Sequence, residues 1–217
     1  MEILPSLISS NILNLEKTII DFDGHCDGFH IDVMDDHFVP NLTWGPMFVN
    51  AIGAITGLPL HIHLMVENPS NWVNRLTLRS NDCFIFHAEI FDLPELVINF
   101  IERIKSNLKC KVGVAVNPRT EIASIFKYIK YLDHVLIMSV EPGFSGQKFI
   151  ESVVNKIEPL KNKRTDHGLF FTIAMDGGIG PDNIVKLNKL GVDQFGIASA
   201  IFSKSDPLQA LSELYKI

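Results

Sequence analysis

The sequence is poor in cysteine and in positive charge, and it has no long apolar run. Its three cysteines, Cys26, Cys83 and Cys110, are an odd number, lie far apart and fall in or beside apolar segments. This pattern is typical of reduced thiols in a core and argues against a disulfide framework. We therefore expect the protein to work in the cytoplasm.

Acidic residues outnumber basic ones by 25 to 19, which gives a net charge of −6. Nucleic-acid-binding proteins usually present a basic face, so this balance predicts no nucleic-acid partner. No apolar run approaches the roughly 20 residues that a membrane-spanning helix requires. The opening segment MEILPSLISSN lacks the basic leader of a targeting sequence, so we expect neither a membrane partner nor processing.

Apolar segments recur along the chain, and segments with helical periodicity lie between them, as at Pro94–Lys105 and Phe149–Leu160. This alternation predicts an α/β fold, a (β/α)₈ TIM barrel formed by one domain over residues 1–217. An open doubly wound sheet is the alternative, but its first strand is usually followed by a glycine-rich turn, which this chain lacks. The predicted strands are Ile3–Ile8, Gly28–Met34, Leu58–Val66, Cys83–Ile90, Lys111–Val116, His134–Val140, Phe170–Met175 and Gln194–Ile201.

Histidine and aspartate occur where several of these strands end, the edge at which barrel enzymes keep their chemistry. His30 and Asp32 are two residues apart and share one face of an extended strand, while His63 and Asp176 end two other strands. Each residue taken alone is readily explained as a hydrogen-bonded interior side chain. Four that converge indicate one divalent metal ion, Zn²⁺, Fe²⁺, Mn²⁺ or Co²⁺, because mixed nitrogen and oxygen ligands suit these ions.

Glycine-bearing turns follow the sixth and seventh strands, at Gly143 and Gly146 and at Gly177 and Gly178. Ordinary tight turns are the alternative interpretation. Barrels commonly bind phosphate at their last loops, however, and glycine allows backbone N–H groups to face an anion. Methionines at the ends of three strands would add apolar surface that excludes water from the centre. They are Met34, Met65 and Met138.

Ordered motifs run through nearly the whole chain: PSLISSN, FHIDVMDDHFVPN, HLMVENP, FHAE, VAVNP, MSVEPGFSGQKFI, MDGGI and SAIF. In this order they resemble the ribulose-phosphate 3-epimerase family. The resemblance implies a barrel with the phosphate site of ribulose-phosphate-binding proteins. It also implies a metal-dependent isomerase that epimerises a ketose phosphate in carbohydrate metabolism, within the pentose phosphate pathway.

The resemblance further implies roles for individual residues. Asp32 and Asp176 would be the acid/base pair, and both would bind the metal together with His30 and His63. Ser6 and His63 would contact the sugar, and the three methionines would line the reaction centre. The phosphate would lie among Gly143, Phe144, Ser145, Gly146, Gly177, Gly178, Ala198 and Ser199. Such a reaction moves a proton from one face of a carbon to the other, so it requires two carboxylates and no redox cofactor.

The chain departs from the family pattern at six positions. Ala198 in the phosphate loop and Glu141 beside it are expected to weaken or reshape anion binding. His61 and Ala174, which lie beneath the metal, are expected to alter metal affinity or preference. The departures are Asp36, Arg119 and Ala198 in place of a usual glycine, Glu141 in place of asparagine, His61 in place of aspartate and Ala174 in place of glutamate.

The default reaction converts D-ribulose 5-phosphate to D-xylulose 5-phosphate. A six-carbon relative such as allulose 6-phosphate needs the same carbon-3 chemistry, and a catalytically weak paralogue that only binds sugar phosphate is a further alternative. The four ligands and two bases argue against that paralogue. An orotidine-phosphate-decarboxylase-like reaction is excluded, because that chemistry uses a lysine among its aspartates and DVMDD contains none.

Some aromatic and histidine residues remain outside this site. Trp44, Phe48 and Trp72 are candidate anchors for a homo-oligomer interface, although aromatic residues on helices more often belong to the core. Four histidines have no predicted role beyond surface or structural positions. They are His25, His37, His134 and His167.

Overall fold

The computed structural model describes all 217 residues. Its strands are β1 (Glu2–Pro5), β2 (Phe29–Met34), β3 (Leu60–Met65), β4 (Cys83–His87), β5 (Lys111–Val116), β6 (His134–Met138), β7 (Thr172–Asp176) and β8 (Gln194–Ile197). All eight are parallel members of one sheet, and β1 pairs with β8. A parallel bridge between Ser6 and His30 joins the remaining edges. The sheet is therefore a nearly closed barrel, as the sequence predicts.

The helices are α1 (Leu15–Phe22), α2 (Pro46–Ile55), α3 (Pro94–Leu108), α4 (Ile157–Asp166), α5 (Ile184–Leu190), α6 (Ser199–Phe202) and α7 (Pro207–Lys216). The helix predicted at Pro94–Lys105 is α3, which continues by three further residues. The helix predicted at Phe149–Leu160 starts instead as a 3₁₀ turn over Glu151–Lys156 and continues into α4. None of the helices combines the length and apolarity needed to cross a membrane.

The prediction that an α-helix follows each strand is wrong at two connections. Between β3 and β4 the chain forms only a short 3₁₀ turn at Pro69–Asn71, and between β5 and β6 it forms turns at Ile122–Ile125 and Ile129–Tyr131. The first connection is rich in asparagine, serine and threonine, whose side chains compete with the helical backbone for hydrogen bonds. The second contains several isoleucines, which lose side-chain freedom in a helix.

The first and last strands are shorter than predicted. β1 ends at Pro5, after which a 3₁₀ turn forms and the Ser10 hydroxyl donates a hydrogen bond to the Leu7 carbonyl over 2.7 Å. β8 ends at Ile197, and α6 begins at Ser199. As a result, the polar residues that follow both strands lie at the mouth of the barrel and not within the sheet.

The strands are buried on both faces, as parallel barrel strands are. On β2, Phe29, Ile31 and Val33 belong to the main core, which also contains the apolar residues of the surrounding helices. The alternate residues face the interior of the barrel. A separate apolar cluster lies there, formed by Cys83, Ile85, Ala115, Leu136, Met138 and Ala174. The barrel interior is thus a packed core, and it supports the side chains at the mouth of the barrel.

Asp36, in the loop after β2, has a left-handed backbone with φ of 60°. An aspartate in this conformation is strained, whereas glycine adopts it freely, which explains the glycine implied at this position.

We expect Asp36→Gly to stabilise the protein by about 0.5–1 kcal/mol, because relief of strain exceeds glycine's entropy cost. Urea unfolding measures this, with Asp92→Gly, at an exposed position without positive φ, as the matched control. A lower unfolding midpoint for Asp36→Gly than for wild type contradicts the interpretation.

Candidate active site

Two histidines and two aspartates from three strands meet at the carboxyl-terminal mouth of the barrel. His30 Nε2 lies 3.2 Å from Asp32 Oδ1 and 3.7 Å from Asp176 Oδ2. His63 Nδ1 lies 3.1 Å and 3.9 Å from the same two oxygens, and 3.4 Å from His30 Nε2. All four side chains are buried or nearly so. The structure thus brings together the four residues that the sequence indicates as ligands.

The spacing of these atoms suits a single tetrahedral ion. Four ligand atoms about 2.0–2.1 Å from a zinc ion are separated from one another by roughly 3.3–3.4 Å. The five separations given above lie between 3.1 and 3.9 Å, so they bracket this value. Two nitrogen and two oxygen donors also match borderline transition metals better than calcium or magnesium, which prefer oxygen alone. The residues therefore fit the ion that the family resemblance implies.

The side chains of this cluster shift one another's pKa values. Burial by itself would raise the pKa of Asp32, but the charge of His30 and the hydrogen bond from His30 hold it below its usual range. Burial and the neighbouring Asp32 carboxylate raise the pKa of Asp176. Burial lowers the pKa of His63 to about 3. Such a pair of buried carboxylates is costly unless a cation lies between them, which a divalent ion would provide.

His63 is held in place from behind by a short relay of side chains. His63 Nε2 lies 2.9 Å from His87 Nε2, and His87 Nδ1 lies 3.2 Å from Glu89 Oε2. Glu89 Oε1 accepts a hydrogen bond from the Asn117 backbone over 2.8 Å. We assign a proton to His87 Nδ1, which donates to Glu89, and a proton to His63 Nε2, which donates to His87. This arrangement leaves His63 Nδ1 with a free lone pair facing the other ligands.

Sequence reasoning gave His87 and Glu89 no role, although both belong to the FHAE motif at the end of β4.

We expect His87→Leu to weaken binding of Zn²⁺ by about 10- to 100-fold, because an apolar side chain removes the acceptor that orients His63. Competition with a chromophoric chelator measures this affinity. The exposed His25→Leu is the matched control. Equal affinities for His87→Leu and wild type would show that the relay does not support the ligand.

A cavity opens above these four residues. It is lined by every residue that the resemblance indicates for substrate contact except His63, which is fully buried beneath it. These lining residues are Ser6, Met34, Met65, Met138, Gly143, Phe144, Ser145, Gly146, Gly177, Gly178, Ala198 and Ser199. The Ser6 hydroxyl donates a hydrogen bond of 2.5 Å to Asp32 Oδ2. Cavity and ligand cluster therefore form one continuous site.

The loops on one side of this cavity have the geometry of an anion site. Gly143, Gly146, Gly177 and Gly178 all have positive φ. A Cβ on Gly177 would lie 2.4 Å from Val140 Cγ2, and one on Gly178 would lie 2.6 Å from a backbone nitrogen, so neither position has room for a side chain. The N–H groups from Gly143 to Gly146 and of Gly178 donate to no protein acceptor. They are free to meet a phosphate.

Two departures from the family pattern prove to be partners. Arg119 Nε lies 3.0 Å from Glu141 Oε1 in an exposed ion pair, so the negative charge that Glu141 adds beside the loop is partly balanced. Ala198 has φ of −102°, outside the left-handed region that favours glycine. The concern that this position requires the conformational range of glycine does not apply.

Gly196 on β8 is a site residue that sequence reasoning missed. It pairs with Asp176 across the β7–β8 ladder, and a Cβ there would lie 3.1 Å from Asp176 Oδ1. Its lack of a side chain leaves space for the carboxylate. The signal was weak, because a lone glycine inside a strand indicates only a close approach of some other group.

The fold and site define the class of protein: an α/β-barrel enzyme with paired carboxylates and imidazoles at the floor of its pocket. Among solved structures, the chain superposes on KGPDC from Streptococcus mutans with a TM-score of 0.70 at 14% identity, covering 99% of this chain and 95% of that one. It superposes on a 3-hexulose-6-phosphate synthase with a TM-score of 0.65 at 14% identity, over 100% and 99% of the two chains. Similarity at this low identity concerns the fold alone.

Sequence comparison identifies the family. The profile of the ribulose-phosphate 3 epimerase family matches residues 2–202. The chain is 38% identical to ribulose-phosphate 3-epimerase of Bacillus subtilis, covering 99% of this chain and 98% of the relative. It is 35% identical to the enzyme of that name from Helicobacter pylori, over 100% and 98%. The chain belongs to the ribulose-phosphate 3-epimerase family, and it is an epimerase of the isomerase class.

Proposed function

We propose that the protein interconverts D-ribulose 5-phosphate and D-xylulose 5-phosphate by moving a proton between the two faces of carbon 3. The observation that carries this proposal is the convergence of Asp32 and Asp176, from β2 and β7, on one centre at the floor of the cavity. Two carboxylates at one centre are what an inversion by two bases requires. Relatives named ribulose-phosphate 3-epimerase, which are 35–38% identical to this chain, support the choice of substrate.

In this reaction one aspartate removes the proton from carbon 3, and the electron pair of the broken bond moves toward the ketone oxygen at carbon 2. The other aspartate donates a proton to the opposite face of carbon 3, which completes the inversion and restores the ketone. Both roles suit Asp32 and Asp176, because each has one carboxylate oxygen in the ligand cluster and a second one outside it. Reversal of the reaction exchanges the two roles.

The proposed ligands of one divalent ion, Zn²⁺, Fe²⁺, Mn²⁺ or Co²⁺, are His30, Asp32, His63 and Asp176. When bound, such an ion supplies positive charge that stabilises the enediolate oxygens. Ser6 holds Asp32 through its hydrogen bond. Met34, Met65 and Met138 line the cavity with apolar surface and exclude water. The free N–H groups around Gly143–Gly146 and Gly178 hold the phosphate, together with Ser199.

We also propose a homo-oligomer. The Trp44 and Phe48 rings stack 4.1 Å apart, and the neighbouring Leu42 and Met47 are 70% and 86% exposed. Exposed apolar side chains beside a stacked aromatic pair support an interface. Trp44, Phe48 and Trp72 all pack in part against the main core, so the exposed Leu42 and Met47 distinguish the patch around Trp44 and Phe48. Light scattering is expected to give a multiple of the chain mass for wild type and a smaller mass for Met47→Glu; a wild-type monomer would contradict the proposal.

We propose a cytoplasmic location because none of the three cysteines is paired. Free thiols persist in reducing compartments. Growth of a tagged strain followed by cell fractionation tests this location directly, and recovery of the protein outside the cytoplasmic fraction would contradict it.

The proposed reaction is tested with protein stripped of metal by a chelator. Zn²⁺, Mn²⁺, Fe²⁺ and Co²⁺ are added back separately, and epimerisation of ribulose 5-phosphate is measured beside that of allulose 6-phosphate. We expect turnover of the pentose to disappear on stripping and to return with at least one of the ions. Mg²⁺ is the control ion, because it prefers oxygen ligands.

Each other outcome replaces part of the proposal. Turnover of the hexose alone would make allulose 6-phosphate, or a related sugar, the substrate. Full turnover by stripped protein would remove the ion from the mechanism. No turnover of either sugar by metal-loaded protein would favour a paralogue that binds sugar phosphate without converting it.

A further inference from the structure

A second group of potential metal ligands lies inside the barrel, apart from the four residues at its mouth. It consists of His61 on β3, Cys83 on β4 and His134 on β6, whose ligand atoms all lie within 4.8 Å of one another. All three residues are buried: His61 is 6% exposed, His134 is 2% exposed and Cys83 is inaccessible. Sequence reasoning placed His134 among residues without a role, and no motif connected these three.

The two imidazoles are not satisfied by the protein. His61 Nδ1 and His134 Nδ1 are both buried and lack any hydrogen-bond partner. Their rings meet edge to face with centroids 5.0 Å apart. Buried polar atoms in native proteins almost always have a partner, so two orphaned nitrogens in the same buried group call for an explanation. A bound ion would satisfy both nitrogens at once.

The protein also sets the protonation of His134. Gln194 Nε2 donates to Glu2 Oε2 over 2.7 Å, which fixes the amide so that its Oε1 faces His134 Nε2 at 3.0 Å. His134 Nε2 must then carry the proton, and its Nδ1 keeps a free lone pair. A carboxylate–amide–imidazole chain of this kind orients a ligand for a metal.

The backbone provides space for the group. Gly113 on β5 pairs with His134, and a Cβ there would lie 3.1 Å from His134 Nδ1 and 2.9 Å from Ile85 Cγ1. Any side chain at Gly113 would therefore crowd the imidazole. The absence of one at this position keeps the His134 ring next to Cys83 and His61.

We propose that His61, Cys83 and His134 form a second metal site, which holds Zn²⁺ or a chemically similar soft ion. A zinc ion with Zn–S near 2.3 Å and Zn–N near 2.0 Å holds its ligand atoms roughly 3.3–3.6 Å apart. Small rotations of the three side chains would bring their ligand atoms, which lie within 4.8 Å of one another, to these separations. Coordination removes the thiol proton of Cys83. The ion joins β3, β4 and β6 within the barrel and has a structural role, because none of its three ligands lines the cavity at the mouth.

The test uses cobalt, because a thiolate bound to Co²⁺ gives an intense near-ultraviolet charge-transfer absorption. The four residues at the mouth contain no sulfur and cannot produce this band. Because the three residues are almost fully buried, the full chain is produced in medium supplemented with Co²⁺, so that the ion is present during folding. Metal content and absorption spectrum are then measured on the purified protein.

Wild type is expected to contain about two cobalt ions per chain and to show the band. Cys83→Ala is expected to lose the band and about one ion, whereas Cys110→Ala, the matched control with another buried cysteine, keeps both. Asp176→Ala should lose the ion at the mouth and keep the band. These readouts do not depend on epimerase activity, so they separate this site from the proposed reaction.

Wild-type protein without the band, holding at most about one ion per chain, would overturn the proposal. Persistence of the band in Cys83→Ala would also overturn it, because another cysteine would then be the ligand. If Cys83→Ala does not fold, His134→Phe serves instead, since it keeps the ring volume and removes the lone pair. If both variants fail to fold, a wild-type spectrum without the band still overturns the proposal.

Discussion

Replacement of Asp176 by asparagine is expected to lower the turnover number for epimerisation by at least about 10²- to 10⁴-fold. Asparagine has nearly the same size, so it can fill the same space beside Gly196, but it cannot accept or return a proton. Asp32→Asn is expected to have an effect of similar size. Both are measured with ribulose 5-phosphate in the presence of excess metal ion, so that a weakened metal site does not by itself determine the result.

Asp182→Asn is the matched control, because this exposed aspartate lies in the loop after β7 without a place in the cavity. It should retain the turnover of wild type. An Asp176→Asn variant with bound metal and near-normal turnover would show that this carboxylate is not a base.

Hydrogen exchange in deuterated water tests the division of labour between the two carboxylates. If each aspartate serves one face of carbon 3, Asp176→Asn should still exchange the carbon-3 hydrogen of one epimer but not of the other. Asp32→Asn should show the opposite preference. If one variant loses exchange with both epimers while the other variant retains exchange with both, the mechanism uses a single base.

Much of the barrel could be predicted from the sequence, because buried parallel strands are continuous apolar runs with marked ends. β5 agrees with its prediction at both ends, Lys111 and Val116. Errors occurred where apolar residues continue past the strand: Leu7 and Ile8 follow β1, and Ile201 belongs to α6. Hydrophobicity shows that such residues are buried, but not whether they lie in a strand, a 3₁₀ turn or a helix.

The residues of the candidate site were predicted better than their contacts. His30, Asp32, His63 and Asp176 stood out because each ends an apolar run, and all parallel strands end at the same edge of a barrel. Contacts that depend on register could not be predicted in this way. The pairing of Gly196 with Asp176 is one example, and the proximity of His134 to Cys83 is another. Strand stagger around a closed barrel determines both, and a single sequence does not contain it in readable form.

Binding of Zn²⁺, Mn²⁺ or Co²⁺ at the mouth of the barrel is expected to raise the melting temperature by roughly 8–16 °C at about 1,000 times the dissociation constant. An ion that binds only the folded chain at this excess contributes about 4.1 kcal/mol, and about 1 kcal/mol raises the melting temperature of a protein of this size by roughly 2–4 °C. The ligands come from β2, β3 and β7, so they are together only in the folded state. Differential scanning calorimetry with and without each ion measures the shift, and Mg²⁺ serves as the control ion.

This measurement is made in Cys83→Ala, so that an ion in the barrel interior does not contribute, and again after His30→Ala is added. The second variant should lose most of the shift. The shift should also decrease as the pH falls, because the carboxylates raise the pKa of His30 to about 9 against the effect of its burial, and a proton on that imidazole competes with the ion. A shift that is absent with all three ions, or equal in both variants, would mean that these four side chains do not form the metal site. Protonated His30, which lies 3.2 Å from Asp32 Oδ1 and 3.7 Å from Asp176 Oδ2, would then be the cation beside the paired aspartates.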